Sequence, residues 1–142
     1  MMKLGLDTAD LYQRALINHP YEAIKFWGSG LRKMERDDRL VWTSLTMEDR
    51  KEANYPGRDD ADLINMISAI DGNKVGMVFV EQTDNHVKIS WRALEAGVDV
   101  SPIAKHFQGG GHAAAAGADI RGSLSEVQKE VLEKTREMLN QR

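Results

Sequence analysis

His112 follows three consecutive glycines, Gly109, Gly110 and Gly111, and precedes four alanines and Gly117, in the stretch HFQGGGHAAAAGADI over residues 106–120. One glycine in such a run can take the left-handed conformation that ends a helix. That use accounts for Gly109. It leaves Gly110 and Gly111, which lose much entropy on ordering and return nothing in packing. The other use is close approach. Successive N–H groups with no side chain in the way form a concave anion nest. An imidazole beside it donates to a phosphate oxygen, more strongly when protonated. Arg92 is a second candidate for the same anion. It ends the polar face of the alternating run HVKISWR, and a guanidinium fork suits phosphate. A solvated surface arginine is the ordinary alternative. No Gly-Lys-Ser/Thr follows the loop, and a helical pattern rather than a strand precedes it, so it matches neither a Walker loop nor a dinucleotide fingerprint.

These residues need elements to position them. DTADLYQRALI (7–17) predicts a helix with Asp7 and Thr8 as caps and Leu11, Ala15 and Leu16 on one face. HPYEAIKFWGSGLRKME predicts a second, with Ile24, Trp27, Leu31 and Met34 in its apolar stripe. Gly28 and Gly30 weaken it by roughly 1 kcal/mol each unless packing needs them. RLVWTSL (39–45) reads as a strand. Thr46 and Asp49 have capping-box spacing for a short helix. In DDADLINMISAI, Asp59, Asp60 and Asp62 suit a first helical turn, with Leu63, Met66, Ile67 and Ile70 as the buried stripe. VGMVFVEQ (75–82) and HVKISWR (86–92) form a hairpin about the turn TDN. Val87, Ile89 and Trp91 take one face; Lys88, Ser90 and Arg92 take the other. VDVSPIAKHF is a helix with Ser101 as N-cap and Pro102 at N1. AAGADI returns as a strand. Ser123 and Glu126 cap a last helix with Leu124, Val127, Val131 and Met138 inward. The order predicts an α/β (α+β) sheet domain with helices packed on it. Trp27, Trp42 and Trp91 read as core, and an exposed ring among them would be able to stack a base.

The bulk numbers narrow the function. The 142 residues suit one domain, with room for an accessory element. There is no cysteine, hence no disulfide and no thiolate ligand or nucleophile. A reducing cytoplasm is compatible with that. No run approaches membrane-spanning length. The net charge of −3 argues against a broad duplex-DNA footprint and makes any anion site local. The four histidines, His19, His86, His106 and His112, are scattered; His106 is expected on the surface of its helix. The acids of DDAD (59–62) are read as a solvated helix start rather than a metal site.

The stretch VKISWRALEAGVDVSPIAKHFQGGGHAAAAGADI resembles the signature of the DHH-associated domain, type 1 (DHHA1), of DHH-family phosphoesterases. The carriers are the Ser-x-Arg strand ending (Ser90, Arg92), the helix VDVSPIAKHF, and Gly-Gly-Gly-His followed by Ala-Ala-Gly (Gly109 to His112, Ala115 to Gly117). The rest of the chain resembles the linker and opening part of that domain in the oligoribonuclease and PAP phosphatase branch. The resemblance implies a small mixed β-sheet with flanking helices, preceded by an interdomain linker helix. It divides the chain into linker and first helices (1–36) and a substrate-binding domain (37–142). It implies that Arg92, Gly109, Gly110, Gly111 and His112 grip the phosphate and nucleotide of a short oligonucleotide or nucleotide phosphate.

In that family, manganese and catalysis belong to a separate N-terminal domain with an Asp-His-His triplet, which does not occur here. Two-metal chemistry needs several fixed ligands and an open position. The chain alone is therefore expected to bind and not to hydrolyse. Expected partners are the ligand and that N-terminal DHH catalytic domain, with no membrane and a cytoplasmic location. An uncovered linker helix would favour self-association into a homo-oligomer. The alternative is a complete nucleotide-binding or partner-docking regulatory module. Similar domains are appended to alanyl-tRNA synthetases, but the net acidity argues against large RNA.

Overall fold

The computed structural model describes residues 19–140. Helix α1 (Tyr21–Arg32) leads to β1 (Glu35–Arg36) and β2 (Leu40–Leu45), then to short helices α2 (Met47–Ala53) and α3 (Leu63–Ile67). The hairpin β3 (Val75–Gln82) and β4 (His86–Ala93) follows, then α4 (Ser101–His106), a second hairpin of β5 (Gly110–Gly111) and β6 (Ala115–Arg121), and α5 (Leu124–Asn140). The strands form one sheet in the order β1-β2-β3-β4-β6-β5. β2 and β3 run parallel, joined through α2 and α3; the other pairs are antiparallel. The sheet is thus mixed, with helices on both faces. The helix expected over 7–17 lies outside the described residues.

β3 is buried on both faces, which is why it reads as an unbroken apolar run. Its Val75, Met77 and Phe79 pack with Leu40, Trp42, Ile89 and Trp91 under α4 and α5. Its Val78 and Val80 pack on the opposite face with Phe26, Leu45, Leu63 and Ile67. Trp42 and Trp91 are core, while Trp27 is half-buried and donates its indole N–H to Ala61 O at 2.7 Å. β4 alternates as expected, with Val87, Ile89 and Trp91 inward. The face of β4 and β6 on the α1 side of the sheet stays half-buried or exposed. That open half carries the candidate site.

Two capping boxes form as the spacing requires. Thr46 and Asp49 bond reciprocally at α2, and Ser123 and Glu126 do so before α5. Three local expectations need correction. α1 buries Ala23, Phe26 and Gly30 rather than the Ile24, Leu31 and Met34 side. α3 starts at Leu63, after Ala61 and Asp62 take positive φ, so the aspartates precede the helix instead of filling its first turn. There Asp59 accepts the Ala61 amide and Asp60 accepts those of Asp62 and Ile64. Met66 faces out and Ile64 faces in. At α4 the N-cap is Val100, which makes no side-chain capping bond; Ser101 is already helical, and its amide bonds Asp99 Oδ1 at 2.9 Å.

Candidate phosphate-binding face

The three glycines and His112 do not form a loop of free amides. They enter the sheet. Gln108, at φ 63°, ends α4 in place of Gly109. The Gln108 amide bonds Lys105 O at 3.0 Å and the Gly109 amide bonds Ala104 O at 2.8 Å, the pairing of a Schellman cap. β5 then pairs Gly110 with Gly117 and Gly111 with Ala116. The His112 amide reaches Ala115 O at 2.8 Å, and the Ala115 amide returns to His112 O at 3.2 Å. Ala113 and Ala114 are the two-residue turn of this hairpin. Their carbonyls accept the amides of Val100 and Ala93, which ties the tip to α4 and β4.

Each glycine has its own reason. A Cβ on Gly109 would collide with the Gly117 carbonyl and lie 2.7 Å from Ala118 Cβ. Gly111 sits at φ +148°, and a Cβ there would come within 2.5 Å of Ala115 O. Both are demanded by the hairpin. Gly110 has no left-handed φ, and nothing lies within 4 Å of where its Cβ would stand. The fold does not need a glycine at 110. The anion nest expected of the run does not form, because the Gly109 and His112 amides are already bonded. Antiparallel ladders alternate. Since His112 and Ala115 exchange both bonds, the Gly111 amide points away from β6 to the open edge.

The register gathers the remaining candidates. Arg92 of β4 lies opposite Ala115, and Ala115 pairs across with His112. Directly opposed residues share a face, so Arg92, Ala115 and His112 form one row. At strand spacing the two outer Cα atoms stand about 10 Å apart. The next row is Ser90, Gly117 and Gly110. The floor between arginine and histidine is therefore built of alanine, glycine and serine, with no bulky side chain. Arg92 is half-buried; its only hydrogen bond among the described residues is a long one from Nη1 to Trp91 O, 3.4 Å. No carboxylate pairs with it there. His112 is exposed. Ser90 and Gly117 were visible in the sequence as motif letters, but only the register shows that they stand opposite one another on this face. At the far end of the same face, His86 Nδ1 meets Asp119 Oδ1 at 2.6 Å, with Arg121 alongside.

The described residues hold no group of three or more His, Asp or Glu placed for a metal. Two of the three acids of DDAD, Asp59 and Asp60, hold backbone amides. Asp59 accepts Tyr55 Oη at 2.5 Å as well as its backbone amide. Burial pushes the Asp60 carboxyl above its ordinary range. His106 is exposed on α4, its ring edge-on to Phe107.

A mixed α/β domain with a Gly-Gly-Gly-His hairpin beside a strand arginine that has no carboxylate partner among the described residues defines a recognisable class. Residues 41–141 match the model of the DHHA1 domain, and the chain belongs to that family. It is 38% identical over 82 residues to the bifunctional oligoribonuclease and PAP phosphatase NrnA of Thermus thermophilus, covering 57% of this chain and 25% of that protein. It is 27% identical over 123 residues to the probable enzyme of the same name from Streptococcus mutans, covering 84% of this chain and 38% of that one. An exopolyphosphatase-related protein from Bacteroides fragilis superposes with a TM-score of 0.81 at 25% identity, over 98% of this chain and 42% of its own. The chain thus spans about a quarter to two-fifths of the length of these relatives. No helix among the described residues is long and apolar enough to cross a membrane.

Proposed function

We propose that this chain is the substrate-binding half of a two-domain DHH-family phosphoesterase. It holds the phosphate of a short oligonucleotide or nucleotide against the open face of β4, β6 and β5. Arg92 supplies a guanidinium fork and His112 a ring donor from the other side. The Gly111 amide adds a neutral donor at the edge. Gly110, Gly117, Ala115 and Ser90 keep the floor low enough for sugar or base to lie on it. Manganese and the hydrolytic step belong to an N-terminal DHH domain of a longer protein, so this chain binds, orients and does not cleave.

The observation that carries the reading is the pairing, on one face, of an arginine with no carboxylate partner among the described residues and a glycine with open space at its Cβ position. The names of the relatives agree with a nucleotide phosphoester as ligand. The test is a titration of 15N-labelled protein with a dinucleotide and with adenosine bisphosphate. Shifts gathered at Gly110, Gly111, His112, Gly117 and the Arg92 side chain are expected. No change at these positions with millimolar ligand would refute binding by the chain alone.

A further inference from the structure

The polar face of β4 repeats every second residue: Arg92, Ser90, Lys88, His86. Each is opposed on β6 by a residue of the same face: Ala115, Gly117, Asp119 and Arg121 in turn. Successive rows stand about 7 Å apart along the strands. Charge is spread unevenly over them. In the first row Arg92 and His112 flank Ala115, and no ion pair joins either to a carboxylate among the described residues. Lys74, whose carbonyl accepts the Leu94 amide just beyond this row, is already paired with Glu95 at 3.9 Å. The second row, Ser90, Gly117 and Gly110, carries no charge.

The last two rows bring carboxylates. Lys88 stands opposite Asp119, and His86 Nδ1 meets the same carboxylate at 2.6 Å. Asp84 joins His86, Asp119 and Arg121 around one pocket. The loop before α3 adds Asp59. Burial pushes the Asp59 carboxyl up, but the Tyr55 hydroxyl, backbone amides and the Lys88 charge outweigh it and hold the group below its ordinary range. Arg58 of that loop has its charge near Arg50 of α2 instead. Asp59, Asp84 and Asp119 therefore surround Lys88 and Arg121. The face is cationic at the Arg92 end, uncharged in the middle and acidic at the other end. Exposed carboxylates act on a phosphate within a Debye length, about 10 Å. A phosphate chain laid along β4 gains in the first row alone.

Resting on the phosphate-binding reading above, we infer that this face grips one phosphate and no more, and that Asp84 and Asp119, with Asp59, deny its far end to a second. The ligand is then a nucleotide held here through a single phosphate, with sugar and base on the uncharged row. The test measures Kd by calorimetry, using the full chain and a 5′-phosphorylated triadenylate. Analogues carry neutral methylphosphonate linkages and a terminal hydroxyl, leaving one charged phosphate at each position in turn, or none. The best single-charge analogue is expected to bind within about threefold of the parent, and the neutral one about tenfold or more weakly, the worth of one charge-assisted hydrogen bond. If every single-charge analogue falls about tenfold below the parent, a second phosphate is gripped and the inference is overturned. A parent that binds no better than the neutral analogue refutes the phosphate-binding reading itself. Asp84→Asn combined with Asp119→Asn is the second measurement. It is expected to tighten the parent about two- to fivefold, the worth of exposed charge pairs, and to leave the best single-charge analogue unchanged. No gain, or an equal gain for both ligands, overturns the exclusion by these acids.

Discussion

The three glycines separate at the level of single residues, and that separation is testable. Gly111→Ala is expected to cost about 1–3 kcal/mol, because φ +148° is a region only glycine occupies easily. Gly110→Val meets no atom of the fold and is expected to leave stability within about 0.5 kcal/mol. It should nevertheless abolish the dinucleotide-induced NMR shifts, since its side chain rises from the site floor. Denaturant melts and the same titration check both. A Gly110→Val protein that binds normally would remove that glycine from the site. Arg92→Lys is expected to weaken binding about tenfold, the worth of one charge-assisted hydrogen bond, with Tm unchanged. The type and spacing of these residues were legible in the sequence. Which glycine serves the fold and which faces outward was not, because that depends on what β6 brings within reach of each Cβ.

Helices and strands followed local chemistry where a cap or alternation was strong. The box at Thr46 and Asp49 is an example, and it predicts a pH dependence. Burial pushes the Asp49 carboxyl up, but hydrogen bonds from Lys33 and the Thr46 amide outweigh it and hold the group below its ordinary range. A folded pKa below the unfolded one stabilises the protein above the unfolded value. That contribution is lost as pH falls from about 4 through the folded pKa. Asp49→Ala is therefore expected to cost about 1–2 kcal/mol at neutral pH, with the gap from wild type closing below about pH 4. Chemical melts at pH 7 and pH 3 measure it. At the end of α4, Gln108 adopts the left-handed conformation that glycine prefers. Gln108→Gly is expected to stabilise by roughly 1 kcal/mol. The sequence put the helix end one residue late because glycine was the natural candidate. It put the inward face of α1 on the wrong side because that helix has two apolar stripes, and periodicity cannot say which one meets the sheet.

At the scale of the whole molecule, one half of the sheet is left open on the α1 side. α1 and α3 cover β2 and β3 on that face, while the small residues of β6 and β5 leave the neighbouring floor bare. From the proposed binding role, the purified chain in manganese buffer is expected to release no mononucleotide from a dinucleotide. Chromatography of the products checks this, and turnover lost in an Arg92→Ala protein would overturn the binding-only reading. The sequence by itself determined the order of the longer elements from α1 to α5, both capping boxes, the inward face of β4 and the motif that marks the family; it missed the two-residue strands β1 and β5. These depend on neighbours a few residues apart, whose contacts repeat with the period of a helix or strand. The tertiary structure alone decided that Gly-Gly-Gly-His is a hairpin strand and not an anion nest. It alone set Arg92 in one row with Ala115 and His112. Register across β4, β6 and β5 joins residues about twenty positions apart, and no local spacing encodes which of them will stand opposite one another.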